Sequence, residues 1–350
     1  MAMAEFAIAG RLIGPEHPPY VIAELSGNHN AELGRALRLI DAAADAGADA
    51  VKLQTYRPDT ITIDHDGPGF RLETGLWAGK RLYDIYGEAQ TPWDWHEALF
   101  AHAAKRGLAC FSSPFDPTAV DFLIRLNAPA FKIASFEVID LPLIARAAAS
   151  GKPLVISTGM ASATEIADAL ATARAHGAGG VALLHCVSEY PARIADANLR
   201  VLPRLASEFG VVVGLSDHSP GITAPIAAVA LGARIIEKHF TLARADGGPD
   251  AAFSLEPAEL SALTAACRDA FQALGRDDLS RGPGETENKQ FRRSLYVTRD
   301  VPAGEPLTQD SVRSIRPGFG LAPKHLWSVL GRMAARDLKK GEPLDWSMVA

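Results

Sequence analysis

From Tyr20 to about Leu242 one hydrophobic pattern repeats along the chain. A run of apolar, often β-branched residues is followed by one or two polar ones. An amphipathic stretch rich in Ala and Leu comes next, often closed by glycine. The runs predict strands over Tyr20–Glu24, Ala50–Gln54, Leu108–Ser112, Ala130–Ala134, Pro153–Ser157, Val181–Cys186, Val211–Leu215 and Ala233–Lys238. Helical spacing predicts helices over Glu32–Ala46, Ser162–His176, Leu199–Phe209 and Ile222–Leu231, followed by Gly47, Gly177, Gly210 and Gly232. Glycine just past a helix end takes the left-handed conformation without a Cβ penalty. Thr91-Pro92-Trp93-Asp94 predicts a further helix start, with Thr91 as N-cap and Pro92 in the first turn.

Eight strand–helix units in about 240 residues fit a (β/α)8 TIM barrel. The competing architecture is an open doubly wound sheet, but no G-x-G-x-x-G follows the first strand. The expected domains are a barrel over 1–275, a linker over 276–290 rich in Gly, Asp, Glu and Arg, and a small domain over 291–350. The small domain contains a repeat: Arg299-Asp300-Val-Pro-Ala-Gly304-Glu305-Pro306-Leu307 resembles Arg336-Asp337-Leu-Lys-Lys-Gly341-Glu342-Pro343-Leu344. That predicts a pseudo-symmetric fold of short strands and turns. Arg57–Gln90 is too long for an ordinary loop of a strand–helix unit and carries Trp77, Tyr83 and Tyr86. It is expected to form a lid or rim over the barrel mouth.

Bulk composition narrows the partners. The 350 residues are 48% hydrophobic and 22% charged, with a net charge of −6 and no basic block. Nucleic acid and anionic membrane are therefore not expected partners. Cys110, Cys186 and Cys267 lie in apolar contexts without metal-site spacing, which suggests a reducing, cytoplasmic setting. No basic leader or membrane-length apolar run is present in the chain.

In a barrel the strand ends converge on one mouth, where active sites lie. The expected contributions are Glu24; Lys52 and Gln54; Ser112 and Ser113; Lys132 and Ser135; Ser157 and Thr158; His185 and Ser188; Ser216, Asp217 and His218; and Glu237, Lys238 and His239. Lysines ringed by hydroxyls suit a phosphate or carboxylate. His218 and His239 arrive from neighbouring strand ends and are candidates to share one metal ion. Two histidines without a thiolate fall short of a zinc site. A loosely held Mn2+, Mg2+ or Co2+, completed by water and substrate oxygens, suits them better. Glu24 is a candidate to move protons beside them.

At these residues the chain resembles the sialic acid synthase family, essentially end to end. The matching strings are Ile22-Ala-Glu-Leu-Ser-Gly-Asn-His-Asn30, Lys52-Leu-Gln-Thr-Tyr56, Phe131-Lys-Ile-Ala-Ser135, Ser157-Thr-Gly-Met160, Gly214-Leu-Ser-Asp-His218, Glu237-Lys-His-Phe240, Gly247-Gly-Pro-Asp250 and Arg316-Pro-Gly-Phe-Gly320. The tail is similar to that family's antifreeze-like (SAF) domain. The resemblance implies an enzyme that condenses phosphoenolpyruvate with an N-acetylated amino sugar and releases phosphate by C–O cleavage. By motif, it implies that His218 and His239 bind the metal. Lys52, Ser113, Lys132, Ser135, Ser157, Ser188 and Ser216 would hold phosphoenolpyruvate, and Glu24 would be the acid/base. Gln54, Tyr190 and Asp250 would face the sugar. Arg316 would reach its acetamido group from the partner of a domain-swapped homodimer.

The family typically has Gly-x-Asn-His after the first-strand glutamate and Asn in the sixth-strand loop. This chain has Leu25-Ser26-Gly27-Asn28-His29 and Val187-Ser188-Glu189-Tyr190. With Arg81-Leu-Tyr-Asp84 and Thr91-Pro-Trp-Asp-Trp-His96, this looks like the family's pseudaminic branch. The sugar implied is 2,4-diacetamido-2,4,6-trideoxy-altrose. The N-acetylneuraminic and legionaminic branches are the alternatives. A metal-dependent hydrolase on the same barrel is a rival of another class, but the chain lacks a third histidine or bridging lysine in the pattern. A non-catalytic binding role for the tail would need a flat apolar face that the tail sequence does not offer.

Overall fold

The computed structural model describes residues 5–74 and 77–350. It divides into two compact units, Met1–Gly275 and Arg276–Ala350. The first opens with a hairpin, β1 (Phe6–Ile8) and β2 (Arg11–Ile13), which the hydrophobic pattern did not predict. Eight parallel strands follow: β3 (Tyr20–Glu24), β4 (Ala50–Thr55), β5 (Ala109–Pro114), β6 (Phe131–Ile133), β7 (Leu154–Ser157), β8 (Val181–Cys186), β9 (Val212–Asp217) and β10 (Ile235–His239). They close in chain order, with β10 pairing β3, so the barrel expectation holds.

Side-chain parity divides the strands into an inner and an outer set. Ile22, Ala50, Phe111, Ala130, Val155, Ala182, Leu184, Val212 and Ile235 fill the barrel interior. Val21, Ala23, Val51, Leu53, Cys110, Ile133, Leu154, Ile156, Leu183, Val213, Leu215 and Ile236 face the surrounding helices. Phe6, Ile8 and Ile13 of the hairpin join the inner cluster. Full burial of such a side chain contributes about 1.5–3 kcal/mol. The hairpin thus stoppers the barrel with apolar side chains and leaves its polar residues on the strand ends.

The helices end where the glycines stand. Leu33–Asp45 stops before Gly47, whose φ is +79°, and Ala163–Ala175 stops before Gly177, whose φ is +88°. One start differs from expectation. The helix of the second strand–helix unit begins as a 3-10 turn at Trp93 and continues over His96–Lys105, with Pro92 rather than Thr91 at the cap position. Thr91 Oγ1 is buried and bonds nothing, because the proline ring carries the chain out extended before the helix turns.

Within the second unit β11 (Ser294–Val297) pairs antiparallel with β12 (Val312–Ile315). The repeat is visible as symmetry. Val301 and Leu338 exchange backbone hydrogen bonds of 2.9 and 2.8 Å. Arg299 pairs with Glu305 at 2.6 Å and Arg336 with Glu342 at 2.7 Å, while Leu307 and Leu344 are fully buried. The stretch read as a linker carries a short helix, Pro283–Glu287. Among the described residues no helix is long and apolar enough to cross a membrane.

Candidate active site

Inner parity continues past the apolar interior into polar residues at the strand ends. Glu24, Lys52, Gln54, Ser113, Lys132, Ser157, Ser216, Glu237 and His239 each lie two or four residues beyond an interior apolar position. Register sets them side by side: Glu24 is opposite Lys52 on one side and His239 on the other.

Lys52 lies at the centre. Its ammonium is 2.5 Å from Glu24 and 3.6 Å from Glu237, and it donates to Ser113 Oγ at 3.2 Å. Lys132 approaches Glu237 at 3.5 Å, and Ser216 donates to Glu237 at 3.0 Å. All four charged groups are almost wholly buried. Their proton affinities separate. Burial lifts Glu24 above the usual carboxylate range, and the charge of Glu237 adds to the lift against the pull of Lys52. Burial acts on Glu237 too, but the ammonium groups of Lys132 and Lys52 overcome it and hold that carboxyl below its ordinary value. For Lys52 burial is outweighed by the two carboxylates, which raise it; Lys132 is lowered, chiefly by burial. Two carboxyls pushed apart in this way divide the labour: one stays ionised, the other can carry a proton.

The hydroxyls gather on the next strands. Gly159 donates its backbone N–H to Ser135 Oγ at 3.2 Å. A Cβ at Gly159 would come within 2.7 Å of Ser135 Oγ and still closer to Ser188 Oγ, so only glycine lets both approach. Ser157 Oγ is buried without a partner. Lysines, hydroxyls and a free backbone approach form a cradle suited to an anion such as a phosphate ester.

The opposite wall is aromatic. The rings of His218 and His239 are 5.3 Å apart; Tyr190 is 4.3 Å from His218, and Phe253 is 4.9 Å from His239. His218 donates from Nδ1 to the Val187 carbonyl at 3.0 Å, which leaves Nε2 for a ligand. His239 Nδ1 is buried without a hydrogen bond, 3.9 Å from Asp250. Burial, then the positive charge of His218 and Lys52, keeps His239 well below its usual pKa and therefore neutral. Burial also works against the charged form of His218, but the Cys186 sulfur and the Val187 carbonyl raise it. Burial would raise the Cys186 thiol too, yet His218 brings it down to about 7. Among the described residues no group of three or more His, Cys, Asp and Glu is placed to hold a metal. An oriented imidazole beside an orphaned one fits a loosely held divalent ion and not a closed zinc site.

Glu24 and Asp250 are joined through Ser26, which donates its N–H to Glu24 at 3.0 Å and its hydroxyl to Asp250. Gln54 donates to Glu24 at 3.1 Å and to Ser26 at 3.3 Å. Ser26 has φ of +46°, a conformation costly for a non-glycine residue and held by these bonds.

Several expected mouth residues are elsewhere: Asp217 pairs with Lys238, and Thr158 donates to the Leu184 carbonyl at 3.2 Å. Lys238 has outer parity and is fully buried against Asp217 at 2.5 Å and the Ser219 carbonyl. It braces the turn that carries His218. Ser112 also faces outward and bonds Thr55 at 2.7 Å. His185 bonds the Ala197 carbonyl at 2.8 Å, a structural role. Arg316 lies in the second unit, on the exposed loop after β12. Glu237 was expected at the mouth but without a role, and Ser26 and Gly159 were not expected as site residues. For Glu237 the signal existed: it shares the two-residue period of His239, whereas Lys238 does not.

Glu137, just after β6, keeps a buried Oε2 without a partner. Burial raises its pKa to about 7. A carboxyl with a raised folded pKa contributes stability that is complete below its unfolded value and lost as pH rises through about 7. Glu137→Gln is therefore expected to match the wild type near pH 4 and to exceed it by about 1–3 kcal/mol at pH 8. Urea melts at both pH values check this; equal differences at the two would contradict it.

The family model described as "NeuB family" matches residues 39–278, and that of the SAF domain matches 292–350. The chain is 43% identical over 325 residues to the pseudaminic acid synthase of Campylobacter jejuni, covering 93% of this chain and 95% of that one. It is 42% identical over 328 residues to the pseudaminic acid synthase of Helicobacter pylori, covering 93% and 96%. The crystal structure of N-acetylneuraminic acid synthetase from Leptospira borgpetersenii in complex with citrate superposes with a TM-score of 0.74 at 34% identity, covering 82% of this chain and 95% of that one.

Proposed function

We propose, from the premise that this chain belongs to the NeuB family and is a nonulosonic acid synthase, that it condenses phosphoenolpyruvate with 2,4-diacetamido-2,4,6-trideoxy-altrose to give pseudaminic acid and phosphate. The observation that carries the reading is one barrel mouth with two unlike halves. A lysine–hydroxyl cradle suits phosphoenolpyruvate; a paired-histidine wall suits a polyhydroxylated aldehyde. Identity of 43% to a pseudaminic acid synthase, against 34% to an N-acetylneuraminic acid synthetase, supports the choice of sugar.

Lys52 and Lys132 hold the phosphate and carboxylate of phosphoenolpyruvate, with Ser113, Ser135, Ser157, Ser188 and Ser216 supplying hydroxyl donors. Gln54, Tyr190 and Asp250 hold the open-chain sugar against that face. His218 and His239 are the residues that would bind a divalent ion, Mn2+, Mg2+ or Co2+. Such an ion, when bound, polarises an aldehyde oxygen as a Lewis acid. C3 of phosphoenolpyruvate then forms a bond to the aldehyde carbon, and positive charge develops at C2. Glu237, kept ionised, stabilises that charge from within the lysine cluster. Water adds at C2, and one of its protons passes to Glu24 and from there to the alkoxide oxygen left by the aldehyde; the other leaves with phosphate when the C2 hydroxyl becomes the ketone. The resulting tetrahedral centre expels phosphate with cleavage of the C2–O bond. Holding both reactants in one dry mouth supplies proximity as well as charge stabilisation.

The second subunit belongs to the same proposal. Phe136, Ile139, Met160 and Ile194 are exposed on the loops after β6, β7 and β8. An apolar rim of this kind suits a cover, and a partner's C-terminal unit carrying Arg316 would supply one.

A phosphate-release assay tests the reading. It uses phosphoenolpyruvate labelled with oxygen-18 at the bridging position and three sugars: the altrose derivative, N-acetylmannosamine and the legionaminic precursor. The altrose derivative is expected to give the highest kcat/KM, the label to leave with phosphate, and EDTA to stop turnover until Mn2+ is restored. Retention of the label in the sugar sinks the mechanism. Full turnover in EDTA sinks the metal role.

A further inference from the structure

From the segment Arg57–Gln90, Trp77 reaches the loops around the mouth. Trp77 donates its indole N–H to the Pro249 carbonyl at 3.3 Å, in the loop after β10. Its ring lies 6.2 Å from Tyr190, in the loop after β8. The other aromatic residues of the segment make different contacts: Tyr83 bonds Asp59 at 3.0 Å, Tyr86 packs edge-on against Tyr56, and Phe70 edge-on against His65. His218, Tyr190 and Trp77 therefore form a series, each ring beyond the last, leading away from the histidines.

We infer that Trp77 is a specificity-determining residue that packs on the sugar's terminal carbon and selects a methyl group there over a hydroxymethyl group. An open-chain sugar whose aldehyde lies at the histidines runs along Tyr190, and its far end meets Trp77. The indole N–H is already committed to Pro249, so Trp77 offers only an apolar surface. Such a surface gains from a methyl and leaves a hydroxyl without a partner. The same bond ties the segment to the loop carrying Asp250, so recognition of the far end also helps to close the site over the reacting end.

This inference rests on the proposed altrose-type substrate. The test compares kcat/KM for the 6-deoxy sugar and for the same diacetamido sugar bearing a hydroxyl at C6. Wild type is expected to favour the 6-deoxy compound by up to about 100-fold. Trp77→Ala is expected to lower kcat/KM for the 6-deoxy sugar by about 10–50-fold, to leave the 6-hydroxy sugar within about threefold, and to leave the KM for phosphoenolpyruvate unchanged. Trp77→Phe, which keeps an apolar ring, is expected to retain most of the preference and guards against misfolding of the alanine variant. Equal losses on both sugars, or an unchanged preference in both variants, overturn the inference while the proposed function stands. Failure of wild type to use either diacetamido sugar overturns the functional reading, and this inference with it.

Discussion

Lys52→Met is expected to abolish measurable turnover and to destabilise the barrel unit by about 3–5 kcal/mol, the cost of breaking a buried ion pair from one side. Methionine approximates the length of the lysine stem, so packing is largely conserved and the charge is what is removed. Glu24, 2.5 Å from that ammonium, is left without a cation of its own. Glu237 keeps Lys132 at 3.5 Å. The variant is expected to shed the surplus charge by protonating Glu24, which burial already favours. Its stability deficit should therefore shrink as pH falls, because protonation removes the uncompensated buried charge. Binding of phosphoenolpyruvate loses one of two lysines, and with it the charge that Glu24 needs nearby when it ionises. Urea unfolding at pH 5 and pH 8, together with phosphate release, measures both effects. A variant as stable as wild type at pH 8, or one that retains a tenth of kcat, contradicts the central place given to Lys52.

Glu24→Gln separates proton transfer from architecture. Glutamine keeps the shape and can accept the same hydrogen bonds from Ser26 N–H and Gln54 that now reach Oε1. It cannot take a proton from water. A positioned acid/base contributes about 10²–10⁴-fold, so kcat should fall by that factor. The KM for phosphoenolpyruvate should stay within a few-fold, because both lysines remain. Thermal stability should be close to wild type or higher, since the lost charge is one that burial disfavours. Steady-state kinetics with a melting curve decide the matter: kcat within tenfold of wild type removes Glu24 from the chemistry. A collapse of phosphoenolpyruvate binding with kcat intact would make it a positioning residue for Lys52.

Much of this site was legible as residue types at strand ends. Glu24, Lys52, Lys132, His218 and His239 were found because a charged or metal-competent side chain after a buried apolar run is costly unless it pairs. The eight-fold alternation was legible for the same reason, since parallel buried strands read as continuous apolar runs. What failed was parity. Listing Glu237, Lys238 and His239 together at the mouth ignored the two-residue period that turns Lys238 outward to Asp217. The same oversight placed Ser112 beside Ser113, although only Ser113 meets Lys52.

Local pattern determined the repeating units, the glycine stops, the internal repeat of the C-terminal unit and the set of side chains able to do chemistry, because each depends on neighbours within one turn or one strand. Tertiary structure alone decided which carboxyl holds a proton more tightly. Glu24 and Glu237 are the same residue type at equivalent strand ends, yet Lys132 stands near Glu237 and helps to hold it ionised, while burial dominates at Glu24. That difference arises between residues more than a hundred positions apart, in a low-dielectric interior where separations of a few ångströms set the sign of the shift. No periodicity along the chain encodes such a distance.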